Sequence, residues 1–347
     1  MDVQVKDSYP YVVRTTKNNG IRGYILENEK YTNDANTLSF AQDTFSVFYQ
    51  KEKYFTGNKV KTLKSKFKNT NEKIMIYLTA SIQKSIKDFT WGIGSTVETI
   101  FETKINLPIK NGEIDFDFME TFILELEAEC ILELEAYLTV TGLKDYNLTN
   151  EELRLLDMFE CNLILFDNYR IEDVLQWKSQ KEINPLKLEQ LKDIKEKKYP
   201  FYGQSIVNNG IISYQQLKND VLNNKKSNPT ILIHSNNQNI VYLETPFYLK
   251  DGHGATSVLQ NKKLNRINQN FIVASIDKVI KKKYSYNNKA TKIALKNSVI
   301  TLPTKNNSPD FEFMESFISA IQKLVIKDVI LYVDRKIEAT KQVVNKK

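Results

Sequence analysis

The sequence predicts an α+β protein: two globular β-rich domains related by a pseudo-two-fold axis and joined by two long antiparallel helices. Three observations predict it. The chain repeats itself. "YPYVVRTTKNNGIRGY" (residues 9–24) is answered by "YPFYGQSIVNNGIISY" (199–214), "ASIQKSI" (80–86) by "ASIDKVI" (274–280), Leu107-Pro108 by Leu302-Pro303, and "DFDFMETFI" (115–123) by "DFEFMESFI" (310–318). A nearly constant offset in preserved order marks a duplicated domain, not an array of short repeats. In each copy the apolar period then lengthens after the Leu-Pro, from strand-like to helix-like. Charge is also segregated: lysines dominate 51–68 and 262–296, whereas acids concentrate between Glu113 and Glu160.

The elements follow in order. Tyr11 to Val13 and Ile21 to Ile25 read as strands around the turn Asn18-Asn19-Gly20, where Asn and Gly supply the positive φ that tight turns need. Strand-like runs follow at Phe45 to Tyr49 and Val60 to Leu63, and in the second copy at Ile231 to Ile233 and Ile240 to Leu243. A helix is expected around Leu78 to Ile86 and around Phe271 to Ile280, then a strand leading into each Leu-Pro. Beyond it, Phe118, Phe122, Leu126, Ile131, Leu134 and Tyr137 recur at helical steps, as do Phe313, Phe317, Ile321, Leu324, Ile330 and Ile337. Asp115 and Asp310 are the expected N-caps. Each helix should reach about 30 Å or more at 1.5 Å per residue, and burying the two apolar faces against each other is the natural solution. Between the copies, Asn147 to Glu152 reads as a capped helix start and "FDNYRIEDVLQWKSQK" (166–181) as a strand and turn. No counterpart of this last stretch precedes Tyr9, so the first copy is expected to lack an opening strand. The boundaries drawn are 1–114 and 164–309 for the β-rich domains, 115–163 for the first helix with its connector, and 310–347 for the second helix.

Composition excludes several classes. With 41% hydrophobic and 26% charged residues the chain is a folded globular protein. No apolar run spans a membrane and no secretory leader is visible, so the expected location is the cytoplasm. Cys130 and Cys161 show no CxxC spacing and are expected as reduced core residues, with no metal site. There is no P-loop and no Gly-rich loop for S-adenosylmethionine. The Asn-Pro pairs, Asn184-Pro185-Leu186 and Asn228-Pro229-Thr230, do not continue as an amino-methyltransferase loop would. No catalytic residue is assigned.

Net charge is +7, split into two basic regions around an acidic one, which suggests two anion-facing surfaces. The Asn-Asn-Gly turns read as hairpin chemistry rather than as a site. The polar residues around them, Arg14, Thr15, Thr16, Lys17, Asn18 and Asn19, and Gln204, Ser205, Asn208 and Asn209, offer donors and acceptors suited to base edges and phosphates. Lys59, Lys61 and Lys64 belong to a lysine series (with Lys66 and Lys68) that alternates along a possible strand, and Lys262, Lys263, Arg266 and Lys283 form the second basic cluster. Phe89, Trp91, Tyr284 and Tyr286 occupy matching positions after the short helix. Core packing explains them, but Tyr284 and Tyr286 also stand as groove contacts, and His253 in "DGHGAT" as a base contact. Glu120, Glu127 and Glu133 lie in a dense acidic edge of the first long helix that reads either as solubilising or as a docking edge.

The doubled Tyr-Pro/Asn-Asn-Gly stretch, "FDNYRIEDVLQW", "INLPIKNGEIDFDFMETFI" and "ITLPTKNNSPDFEFMESFI" together resemble the specificity (S) subunit of type I restriction-modification systems, or the similar target-recognition subunit of type IIB systems. The resemblance covers nearly the whole chain. It implies two target-recognition domains that each read half of a split site in double-stranded DNA, with helices that set the spacing. It implies methyltransferase (modification) subunits, two of them, docked on the helices, with a restriction subunit joining in type I systems. It implies that S-adenosylmethionine is carried by the partner methyltransferase and no cofactor by this chain. A relative that binds modification subunits as a decoy and touches no DNA is the alternative left open.

Overall fold

The computed structural model describes residues 3–68, 70–90, 97–285 and 287–344. The chain divides into two compact units: one runs to Tyr137 and takes in the end of the chain from Lys336, the other is Leu138–Arg335.

In the first unit β1 (Tyr9–Val12), β2 (Ile21–Ile25), β3 (Thr37–Ala41), β4 (Ser46–Gln50), β5 (Phe55–Thr56) and β6 (Val60–Leu63) are followed by α1 (Glu72–Ser85), α2 (Val97–Glu102), β7 (Ile109–Lys110), β8 (Glu113–Ile114) and α3 (Phe116–Val140). Strands β1 to β6 form two three-stranded sheets, β2-β1-β5 and β4-β3-β6, and β7 and β8 pair as a separate antiparallel ribbon. β3 is buried on both faces, which explains its apolar character. Leu38 and Phe40 meet Ile74, Met75 and Leu78 of α1, while Ala41 joins Val12, Tyr54 and Val60 between the sheets. The layers are therefore helix, sheet, sheet.

The second unit repeats this plan and adds to it. α4 (Asn150–Glu160), β9 (Phe166–Arg170), α5 (Ile171–Val174), β10 (Gln176–Lys178), β11 (Glu182–Ile183) and α6 (Leu188–Leu191) precede the repeated part. That part is β12 (Tyr199–Tyr202), β13 (Ile211–Gln215), β14 (Thr230–His234), β15 (Ile240–Leu243), β16 (Tyr248–Lys250), β17 (Thr256–Gln260), α7 (Gln269–Lys283), α8 (Lys292–Lys296), β18 (Val299–Lys305), β19 (Ser308–Pro309) and α9 (Phe311–Val344). Besides the three-stranded sheet β19-β18-β9, the two four-stranded sheets are β11-β16-β12-β13 and β10-β17-β14-β15. Each has one strand more than its counterpart among the described residues of the first unit, β10 and β11 being the additions. Ile272, Ile276 and Ile280 recur every fourth residue of α7 and are fully buried against Ile231, Ile233 and Leu259. Each such buried aliphatic side chain stabilises the unit by roughly 2 kcal/mol.

The predicted N-caps form identically in both copies. Asp115 Oδ1 accepts from Phe118 N–H at 2.9 Å and Asp310 Oδ1 from Phe313 N–H at 3.0 Å, while each Asp N–H donates to its proline carbonyl, Pro108 or Pro303, at 2.9 Å. Several expectations are corrected. The strand expected before each Leu-Pro forms only in the second copy, where β18 has β9 as its antiparallel partner. Residues 103–108 carry no regular structure, and the first unit shows no counterpart of β9 among its described residues. The buried stripe near the start of α3 is Met119 and Ile123, while Phe118, Phe122 and Leu126 stay about half exposed. Cys130 and Cys161 are both exposed rather than core residues, one on the outer face of α3 and one at the C-cap of α4. Phe89 is half-buried and packs against the core, edge-on to Phe45. Trp91 lies outside the described residues.

Candidate nucleic-acid interface

The β1–β2 and β12–β13 connections share one backbone frame, bond for bond. Val13 N–H donates to Gly20 O at 2.8 Å and Gly203 N–H to Gly210 O at 2.9 Å. Thr15 and Ser205 N–H donate two residues back at 2.9 Å, and Gly20 and Gly210 N–H three residues back at 3.0 Å. Asn18, Asn19 and Gly20 lie at φ of 48°, 52° and 78°, and Asn208, Asn209 and Gly210 at 50°, 50° and 80°. Three successive left-handed residues explain the Asn-Asn-Gly, since Asn tolerates that region and Gly enters it freely. A Cβ on Gly20 would also sit 3.1 Å from Val12 Cγ1 and 3.2 Å from Phe48 Cδ2.

Two further turns converge on this loop. Ser46 Oγ, at the end of the β3–β4 turn, donates to Thr15 O at 3.4 Å, and its counterpart Asn239 Nδ2 donates to Ser205 O at 2.9 Å. Gln42 N–H donates to Lys59 O at 3.1 Å, and Ser235 N–H to Ala255 O at 2.8 Å, which ties in the turns after β5 and β16. On this shared frame the side chains differ. In the first unit Arg14 pairs with Asp43, which also meets Lys59 at 3.5 Å. In the second, the same positions hold Gln204, whose Oε1 accepts from Asn236 Nδ2, and Asn237 Nδ2 donates to Gln204 O at 3.4 Å. An ion pair in one copy is an amide pair in the other.

Beneath the second loop lies His234, where the first unit has Ala41. It is fully buried, Nδ1 lies 2.9 Å from Thr256 Oγ1, and Nε2 has no partner among the described residues. Burial pushes its pKa down to about 4, so the ring is neutral at pH 7.

The expected contact residues divide accordingly. Arg14, Thr15, Thr16 and Lys17, with Lys59, gather at one end of the first unit, as do Gln204, Ser205 and the exposed His253 in the second. Lys283 precedes a segment that returns to this end, where Ala290 N–H donates to Ser235 O at 3.2 Å. The amides of Asn18, Asn19 and Asn208 hold the turn itself, donating to Ile21 O, Tyr49 O and Ile211 O at 3.0, 2.8 and 3.3 Å. Asn209 is exposed. Other expectations are corrected. β6 ends at Leu63, so Lys61 is the only member of the lysine series within the strand. Lys64 lies past the far end of β6 and pairs with Asp34 at 2.9 Å. Lys262, Lys263 and Arg266 lie past the far end of β17, where Gln260 pairs with Thr230, while His234 and Thr256 mark the loop end. Arg266 there meets Glu244 at 3.0 Å. Tyr284 is a core residue, 7% exposed, its hydroxyl 3.0 Å from Ala294 O and 2.9 Å from Ser298 Oγ. Tyr286 lies outside the described residues. Glu127 is held by Lys73 of α1 at 2.6 Å to both oxygens. Glu133 stands about 120° around α3 from Glu127, so Glu120, Glu127 and Glu133 do not form one edge.

Sequence reasoning missed Asp43, Ser46, His234, Asn236 and Asn239. The signal was there: extending the repeat register through the turns aligns Asp43 with Asn236 and Ser46 with Asn239, inside the polar run "HSNNQN".

Comparison with known proteins matches this geometry to a family. The model of the type I restriction modification DNA specificity domain matches residues 3–136 and again residues 165–332. The chain is 24% identical over 324 residues to the specificity subunit of the BcgI type II restriction enzyme from Heyndrickxia coagulans, covering 91% of this chain and 87% of that one. The S subunit of a type I restriction-modification system from M. genitalium has the same fold, with a TM-score of 0.55 at 16% identity over 98% of this chain and 87% of that chain. Among the described residues no helix is long and apolar enough to cross a membrane. Subunits of this kind are non-catalytic and assemble with DNA and with other components of restriction-modification complexes. The chain belongs to the family of type I restriction-modification DNA specificity domains, carries two of them, and is a specificity subunit of a restriction-modification system.

Proposed function

We propose that the loop end of each unit reads one half of a bipartite site in double-stranded DNA. The observation that carries this is the pair of identical backbone frames bearing unlike side chains: Arg14 with Asp43 in one, Gln204 with Asn236 in the other. Two readers of different half-sites need a common way of lying on the duplex and different groups to present to the bases. In the first unit Arg14, Thr16 and Lys17 face the groove, with Lys59 and Lys61 beside the phosphates. In the second, Gln204, Ser205, Asn209 and His253 do so, with Lys283 flanking. The recognition domains span 1–114 and 164–309. The helical segments 115–163 and 310–347 set the spacing and hold two methyltransferase subunits, which carry S-adenosylmethionine, and a restriction subunit joins the complex in the cytoplasm.

Changing Arg14→Gln, Thr15→Ser, Thr16→Ile and Lys17→Val together gives the first loop the residues of the second. Methylation mapping of the reconstituted complex should show one half-site altered and the other intact. Both half-sites unchanged would remove the loop from the reading surface. The mass of the assembled complex in solution tests the number of methyltransferase subunits.

A further inference from the structure

Two neighbouring side chains on the second loop have no explanation in the fold. Ile206 and Val207 are 74% and 71% exposed at the crest of the loop, where the first unit has Thr16 and Lys17. The crest is fixed from below. Val207 N–H donates to Ser205 Oγ at 3.1 Å, Asn239 holds Ser205 O, and Asn236 holds Gln204. A rigid apolar tip held toward solvent is suited to an apolar patch on whatever the loop meets. In the major groove the only such patch on a base edge is the C5-methyl group of thymine. Gln204, half-buried beside the crest, supports the same reading. A side-chain amide offers acceptor and donor together, the pattern complementary to N6 and N7 of adenine, and its oxygen keeps a second lone pair beyond the one Asn236 uses.

We infer that the second unit reads A·T pairs, with Ile206 and Val207 packed on thymine methyl groups and Gln204 on an adenine edge; this rests on the DNA-reading role proposed above. The first unit has Arg14 and Lys17 where the second has Gln204 and Val207, and only the single methyl of Thr16 at the position of Ile206, so it lacks the apolar crest.

The test uses the assembled complex and its mapped target duplex, with each thymine replaced in turn by deoxyuridine, which lacks only the methyl group. Binding should weaken roughly fourfold per methyl lost at one or two positions of a single half-site. The double variant Ile206→Ala, Val207→Ala should bind the intact duplex more weakly and no longer distinguish thymine from uracil there. Both side chains are exposed, so the variant should keep the wild-type melting temperature. Wild-type complex indifferent to uracil at every position overturns the inference while leaving the DNA-reading role intact. So does a double variant that discriminates as the wild type does. A complex with no sequence preference on any duplex overturns the DNA-reading role and this inference with it.

Discussion

His234 is the clearest single departure between the two copies. A histidine replaces the small Ala41 and is buried, with one nitrogen unpartnered among the described residues. Its pKa is about 4 in the fold, against an ordinary value near 6.5 in the unfolded chain. Between these values the unfolded chain binds the extra proton. Stability from the neutral ring is therefore full above about pH 6.5 and is lost as pH falls toward 4. The loss should be on the order of 2–3 kcal/mol across that window. Urea unfolding followed by Trp177 fluorescence, in a Trp91→Phe background, should show this decline, and His234→Gln should flatten it. An unchanged midpoint from pH 7 to pH 4 in the parent would show that the ring is not held neutral. The position sits under the second loop, where a Cβ on Gly210 would lie 3.7 Å from Nε2, so the cost of protonation is expected at the crest as well as in the core.

At the level of elements, the connector helix α4 is fastened to α9 by one carboxylate. Thr149 and Glu152 close a capping box, and Glu152 also takes Lys323 Nζ at 2.8 Å and Ser319 Oγ at 2.8 Å. Burial alone would raise the Glu152 pKa, but Lys323, the Thr149 N–H and Ser319 outweigh it and hold it at about 2. This contribution is present above about pH 4.5 and is lost as pH falls toward 2, a window below that of His234. Glu152→Gln should cost about 2–3 kcal/mol at pH 7, because the largely buried Lys323 loses its near charge partner and keeps only the longer contact to Asp145 at 3.6 Å. Urea titrations at pH 7 and at pH 2.5 should find the full deficit at the first and only about a quarter of it at the second; an equal deficit at both would assign it to packing instead. The capping box was legible because its residues are three apart. Lys323 was not, because its partner lies 171 residues away. The same contrast holds elsewhere. The Asp115 and Asp310 caps, α1, α7 and the Asn-Asn-Gly turns follow from local chemistry. The lysines' division between two ends of the ladder depends on which strand pairs with which, and the burial of Tyr284 and the exposure of both cysteines depend on how the helices pack. The candidate site was half visible for the same reason: the loop residues stand together in sequence, while Asp43 and Asn236 reach them from another turn.

For the whole molecule, duplication fixes the frame and frees the side chains, so the two units should differ in how they hold DNA and not only in which bases they choose. The net charge of +7 is unevenly placed at the loop ends. Lys17 and Lys59 of the first unit correspond to Val207 and Ala255 in the second. Each phosphate neutralised releases counterion and steepens the fall of log K with log salt by about 0.9. On the proposed reading, the first unit anchors the complex electrostatically, and the second adds a contact that salt barely touches. Binding of the assembled complex to its mapped duplex, measured between about 50 and 200 mM salt, separates the two. Lys17→Ala should reduce the slope by about one unit. Val207→Ala, at the equivalent position, should lower affinity by a similar factor at every salt concentration and leave the slope unchanged. Equal slopes in the two variants would mean that Lys17 meets no phosphate, and that the unlike crests differ only in the bases they select.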